Sequence, residues 1–214
     1  MNRKKVGVLV SGRGSNLQAL LDAAADPAFP AEIALVISNI PDVYALERAA
    51  KAGVPTQIIP HKSFPSREAF DAAMDAALRA AGVDFVCLAG FMRLLTKGFV
   101  EGWQGRMINI HPSLLPSFKG LHTHERAIEA GVKLHGCSVH LVTPELDDGP
   151  LLVQAAVPVL ADDTPDILAA RVLEQEHKAY PLALRLLAEG RVTVDGIRAM
   201  VDAPGGGALV NPQV

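Results

Sequence analysis

Short, continuously apolar segments alternate with longer stretches of helical periodicity through the first half of the chain, and this alternation restricts the fold more than any other feature. Val6–Val10, Ile33–Ser38, Thr56–Ile59 and Asp84–Leu88 read as strands. Leu17–Ala24, residues 42–52 and residues 66–81 read as helices between them. Strands that are apolar along their whole length are buried on both faces, as in a parallel sheet covered by helices.

After Met107–His111 the pattern changes. Pro112 and Pro116 bracket an irregular loop, and Thr123–Ala130 reads as a short helix. His135–Val142 and Leu151–Val157 read as strands joined by the turn-rich Pro144–Pro150, which suggests an antiparallel pair. Thr164-Pro165-Asp166 combines a capping hydroxyl, a first-position proline and an early acid, so it starts a helix that is expected to run to Ala188 and stop at Gly190. The fold class is therefore α/β: an open, mostly parallel, Rossmann-like sheet with helices on both faces and an antiparallel extension near the C-terminal third. Residues 1–190 are expected to form a single domain. Residues 191–214 would be a short extension, Gly/Pro-rich and mobile after about 203.

Composition excludes several classes. At 214 residues, half of them hydrophobic, the chain can bury one substantial core. A formal charge of -3 gives no basic surface for coating nucleic acid. The apolar runs are too short to span a bilayer, and no membrane association is expected. Met1–Lys5 before Val6–Val10 resembles the start of a signal peptide, but the apolar stretch is brief and runs into a Gly-rich loop. Cys87 and Cys137 lack paired-thiol spacing and read as small hydrophobes in a reducing compartment, so a cytoplasmic location is expected.

The first strand ends in Ser11-Gly-Arg-Gly-Ser-Asn16, and a helix follows at once. Glycines let the backbone approach a ligand, and the helix start offers N–H groups and partial positive charge to an anion. A dinucleotide fingerprint would place glycine at Leu17 and an acid where Ser38-Asn39 stands. A phosphate monoester therefore fits better than a nicotinamide cofactor, although a plain strand-to-helix turn would show the same glycines.

Asn109 and His111 are two apart on a strand, so they share a face and leave its carboxyl end together, where open α/β sheets bind ligands. An amide donor suits an oxyanion, and a His can donate or shuttle a proton. The alternative is a satisfied polar pair at a sheet edge. Asp147, in the turn Leu146-Asp-Asp-Gly149, is either a solvated turn carboxylate or a group that orients a nearby His and holds it charged. The histidines (His122, His124, His135, His140 and His177 among them) match no metal motif, and no metal is expected.

Taken together, these stretches resemble the glycinamide ribonucleotide transformylase (phosphoribosylglycinamide formyltransferase) family of purine biosynthesis. The likeness runs from about residue 5 to 190 and is carried by Ser11–Asn16, Leu88-Ala-Gly-Phe-Met-Arg93, Asn109-Ile-His-Pro-Ser-Leu-Leu-Pro116, Gly120-Leu-His-Thr-His124 and Leu146–Pro150. It implies transfer of the formyl group of 10-formyltetrahydrofolate, a co-substrate, to the amine of glycinamide ribonucleotide. By the same resemblance Asn109 and His111 stabilise the tetrahedral intermediate, and Asp147 holds His111 charged and helps move protons. Gly14, Ser15, Asn16 and Pro112 would bind the ribonucleotide with Glu176, which would reach the ribose. Arg67, Met92, Arg93, Leu94, Leu95, Asn109, Val142 and Thr143 would line the folate site, and Leu115–Pro116 would be a cis peptide. The implied partners are these small molecules alone, bound by a monomer or homodimer.

Three residues depart from the family pattern. Pro144 replaces an acid and Leu141 an aromatic on the loop expected to clasp the pterin, which stiffens that loop. Leu173 stands where a polar group near the phosphate is expected, so phosphate binding rests more on the first loop. Formyltetrahydrofolate hydrolases share the core but carry an N-terminal regulatory domain. Methionyl-tRNA formyltransferases need a C-terminal RNA-contacting domain. With about five residues before the first strand and two dozen after the last helix, neither of these domains is expected. A non-catalytic nucleotide-binding module would leave Asn109, His111 and Asp147 unexplained.

Overall fold

The computed structural model describes residues 3–207, 209 and 211. Its principal sheet has seven strands in the order β3-β2-β1-β4-β5-β6-β7, and a separate sheet has two. The chain divides into two compact units. One takes in residues up to Asn109 and the run Leu141–Pro144; the other takes in Ile110–His140 and the chain from Glu145 onward.

In the first unit β1 (Lys4–Val10), β2 (Ala31–Ser38), β3 (Thr56–Ile58), β4 (Phe85–Leu88) and the start of β5 (Met107–His111) pair in parallel throughout. Helices α1 (Ser15–Ala25), α2 (Tyr44–Lys51), α3 (Arg67–Ala80) and α4 (Lys97–Gly102) connect them. The last five residues of β1 and the last four of β2 are buried, as their unbroken apolar sequences require. Leu9, Ile37, Phe70, Met74, Leu78, Val86, Trp103 and Met107 form the core of this unit. Each such side chain contributes about 1.5–3 kcal/mol when fully withdrawn from water. Gly7 lets α3 approach β1, because a Cβ there would stand 2.3 Å from Leu78 Cδ2. Since β1 pairs with β2 on one side and β4 on the other, the connections leave it in opposite directions, and the carboxyl ends of β1 and β4 flank a topological switch point.

The second unit holds the end of β5, α5 (Thr123–Glu129), β6 (Leu134–Leu141) as far as His140, β7 (Leu151–Pro158) and α6 (Pro165–Ala188). Strands β6 and β7 are antiparallel, as their short turn-rich link suggested. Gly136 is required there, because a Cβ would fall 1.9 Å from Ala155 O. The α6 start matches its sequence signal: Thr164 Oγ1 accepts Ile167 N–H, with Pro165 and Asp166 in the first turn. The helix continues through Pro181, where burial of Tyr180, Ala183, Leu184 and Leu186 outweighs the lost backbone bond.

Several boundaries differ from the sequence reading. The fourth strand starts at Phe85 and the sixth spans Leu134–Leu141, so Val142 is no longer in it; its N–H instead donates to Met107 O at 2.9 Å. Helix α4 was not expected. Thr96 caps it by accepting Phe99 N–H, but Gly98 and Gly102 erase its propensity signal. The extension after 190 is partly regular: β8 (Val192–Asp195) and β9 (Arg198–Val201) form an antiparallel hairpin with Gly196 at φ 58° opening its two-residue loop. Residues 203–207 are exposed, and Asn211 donates to Lys133 O and Val159 O. The expected mobility of residues 208, 210 and 212–214 lies outside the described residues. No helix among the described residues is long and apolar enough to cross a membrane.

Candidate active site

In the second unit, His111 ends β5 with only 6% of its surface exposed. Its Nε2 lies 3.1 Å from Phe118 O, and its Nδ1 lies 3.5 Å from Asp147 Oδ2. A carbonyl accepts only, so Nε2 carries the proton in this arrangement. Nδ1 faces a carboxylate, so both ring nitrogens are directed at oxygen acceptors. Asp147 is itself buried, accepts Gly120 N–H on Oδ2 at 2.9 Å, and has Oδ1 4.0 Å from His140 Nε2. The carboxylate is therefore fixed from several sides instead of solvated, which removes the plain-turn alternative for Asp147.

Left-handed backbone clusters here. Phe118, His122 and Asp147 adopt φ of 54°, 56° and 50° without being glycine. Such residues cost energy and persist only where the surroundings impose them, most often at functional sites. Arg126 imposes the first two: it donates to Lys119 O and Leu121 O and lies over the Phe118 ring. The Lys119–Asp148 ion pair ties the same loop to the Asp147 turn. Upstream, Ser138 Oγ accepts Leu115 N–H and donates to Ser113 O, while Gln154 donates to Leu115 O and Ser138 Oγ. Thr123 Oγ1 donates to Pro112 O. The loop after His111 is thus pinned at both ends, and Leu115–Pro116 is cis as the resemblance implied.

Behind it lie the buried His135 ring and the half-buried His124 ring, 5.2 Å apart edge to face, with Phe118 5.8 Å from His135. Burial, reinforced by His124, lowers the His135 pKa to about 4, and burial lowers that of His124 as well. Between the ordinary imidazole value and about 4, the unfolded chain takes up a proton on His135 that the folded chain refuses. Stability is therefore full above that window and falls as pH drops through it. Urea midpoints measured across pH 7 to 4 are expected to decline, and His135→Phe should flatten the decline; an unchanged slope in that variant contradicts the assignment.

Glu176, on α6, is buried, and its charge adds to burial in pushing the Cys137 thiol up to about 12. Cys137 is thus an inert core thiol, like the buried Cys87.

In the first unit, Gly14 takes φ 70° and precedes α1, whose first turn has no side-chain cap. Its lack of a side chain is structural: a Cβ would stand 2.6 Å from Ala45 Cβ. Helix α2 braces this loop, with Ala45 N–H donating to Gly12 O and Arg48 Nε to Arg13 O. Ser15 and Asn16 are half-buried on the first turn of α1. Asn109 is half-buried in β5. Met92 and Leu94 are 64% and 59% exposed, an uncovered apolar pair beside exposed Arg93 and half-buried Leu95. Arg67 is exposed at the first position of α3, a helix end where a cation gains nothing from the dipole. Val142 and Thr143 are half-buried in the same unit; Pro112, half-buried, and Glu176 belong to the second. Among the described residues, no group of three or more His, Cys, Asp or Glu is placed to hold a metal ion.

The family model described as formyl transferase matches residues 4–184. The chain belongs to the formyl transferase family. It is 47% identical over 195 residues to a phosphoribosylglycinamide formyltransferase of Escherichia coli (strain K12), covering 91% of this chain and 92% of that protein. The trifunctional purine biosynthetic protein adenosine-3 of Drosophila melanogaster is 53% identical over 194 residues, 90% of this chain but 14% of that protein. The chain thus spans about a seventh of that longer relative. A crystal structure of glycinamide ribonucleotide transformylase 1 from Symbiobacterium toebii has a TM-score of 0.91 at 49% identity, over 93% of this chain and 94% of that one.

Within this formyl transferase, sequence spacing picked out Asn109 and His111 but not what holds them. Phe118 O, Gly120 N–H, His140 and Arg126 act on His111 and Asp147 through backbone groups or across sequence distance, and no local motif marks them. Ser11, Asn39 and His61 form a second polar cluster in the first unit that spacing also missed.

Proposed function

We propose that this chain transfers the formyl group of 10-formyltetrahydrofolate to the amino group of glycinamide ribonucleotide, giving formylglycinamide ribonucleotide and tetrahydrofolate. The observation that carries this reading is the buried His111–Asp147 pair at the carboxyl end of β5 in a chain of the formyl transferase family. The amine attacks the formyl carbon, and negative charge develops on the formyl oxygen. The Asn109 amide and a protonated His111 supply donors to that oxygen. To donate to that oxygen, His111 exchanges the Phe118 O partner of its Nε2–H for substrate, while Asp147 balances the imidazolium. The incoming amine loses a proton and the departing folate nitrogen gains one, with His111 and Asp147 carrying it through water.

Gly14, Ser15 and Asn16 bind the ribonucleotide phosphate, with Pro112 also lining the ribonucleotide site and Glu176 on the ribose hydroxyls. Arg67 pairs with the folate carboxylates, and Met92–Leu95, Asn109, Val142 and Thr143 receive the pterin side. Exposed Met92 and Leu94 support this, since a flat aromatic ligand gives them apolar cover. Residues 1–190 act as one catalytic domain, with 191–214 as an accessory extension. The protein works in the cytoplasm on small molecules, as a monomer or homodimer, without metal, nucleic acid or membrane.

The test is an assay of purified protein with both substrates. Formylated ribonucleotide is the expected product; formate release without acceptor would make it a hydrolase, and neither product would leave only a binding module.

A further inference from the structure

A buried polar chain joins the carboxyl ends of β1, β2 and β4, and none of the proposed substrate contacts uses it. Ser11 follows β1 with 7% exposure, and Asn39 follows β2 with 2%. Ser11 Oγ donates to Asn39 Oδ1 at 2.6 Å and accepts Met92 N–H at 2.8 Å. Asn39 Nδ2 lies 3.1 Å from His61 Nδ1, which is also 3.2 Å from Asn39 O. Asn39 and His61 thereby fix the direction of the Ser11 hydroxyl, leaving its lone pair for Met92.

Local satisfaction of buried polar groups accounts for Ser11 and Asn39, but not for the third partner. Phe91 and Leu95 pack against the core, but Met92 and Leu94 between them turn their side chains outward and give the segment no apolar anchor at those positions. Ser11 supplies a fixed anchor instead, and it is also the first residue of the loop Ser11–Asn16. We infer that Ser11 is a positioning residue for folate: through the Met92 N–H it holds Met92–Leu95 in the shape that receives the pterin, from the same residue that opens the phosphate loop. The inference rests on the reading of Met92–Leu95 as a folate segment.

The experiment is steady-state kinetics with both substrates varied, on Ser11→Ala, Ser11→Cys, Ser11→Thr and Leu94→Ala, with hydrogen exchange at the Met92 amide. Loss of one hydrogen bond is expected to raise the folate KM about three- to tenfold in Ser11→Ala, and in the near-isosteric Ser11→Cys. Ribonucleotide KM and kcat should stay within about twofold, since the bond acts on one loop. Ser11→Thr, which keeps the hydroxyl, should retain the folate KM, and Met92 exchange should accelerate only in the Ala and Cys variants. An unchanged folate KM in Ser11→Ala, or a parallel rise in both KM values, overturns the inference. If Leu94→Ala leaves the folate KM unchanged, the folate reading of the segment falls and takes the inference with it. If Leu94→Ala raises it and Ser11→Ala does not, Ser11 alone is wrongly assigned.

Discussion

Asp147→Asn is expected to lower turnover by about 10²–10⁴-fold, the range a positioned acid–base group supplies, while the thermal midpoint barely moves. The substitution separates charge from shape. Asn tolerates the left-handed backbone at φ 50° as readily as Asp does, so the turn keeps its conformation. An amide oxygen can still accept Gly120 N–H. What disappears is the negative charge 3.5 Å from His111 Nδ1. An imidazolium would then face an amide dipole in a nearly dry site, and the protonated ring needed for the oxyanion would lose its counter-charge. His111→Ala should cost at least as much in turnover, and the double variant little more than the worse single one, because the two groups act as a unit. Stopped-time assays of formylated product, with circular dichroism to confirm folding, decide it. Near-normal turnover in folded Asp147→Asn would falsify the proposed role.

The sequence revealed much of the first unit because its strands are buried on both faces, so Val6–Val10 and Ile33–Ser38 announce themselves without any partner being known. The Thr164 cap was equally legible, being written within three consecutive residues. The elements that escaped are those whose stability is not local. Helix α4 carries two glycines and is held by Thr96, whose N–H donates to Asp71 of α3 at 2.7 Å. The β8–β9 hairpin did offer a signal, Asp195-Gly196 between alternating apolar residues, but its strands are four residues each and mostly exposed. The site divides the same way. Asn109 and His111 were found because strand period alone relates them. The grip on Asp147 comes from Gly120, 27 residues away, and the hold on His111 from a backbone carbonyl, which no side-chain pattern records. Asn39 entered the sequence argument only as the missing acid of a dinucleotide site; its place between Ser11 and His61 needs three chain segments brought together.

Gly14→Ala is the second large effect, expected to raise the ribonucleotide KM by at least about tenfold and to destabilise the fold by about 1–2 kcal/mol. Two separate penalties combine. At φ 70° any L side chain meets its own backbone, whatever surrounds it. The new Cβ would also stand 2.6 Å from Ala45 Cβ and 2.8 Å from Ala45 Cα, and the second is backbone that cannot rotate away. Relief requires the loop and α2 to separate, yet Ala45 N–H to Gly12 O and Arg48 to Arg13 O hold them together immediately before Gly14. The N–H groups at the start of α1 would therefore be re-aimed, and those are the groups proposed to cradle the phosphate. Ala45→Gly in the Gly14→Ala background removes the side-chain clash but leaves both the crowding against the α2 backbone and the φ penalty, so it should recover only part of the affinity. A dephosphorylated acceptor locates the loss: it should react equally poorly with both proteins, because the phosphate contact is missing in each case. If Gly14→Ala weakened that acceptor as much as the ribonucleotide, the loop would be acting on something other than the phosphate.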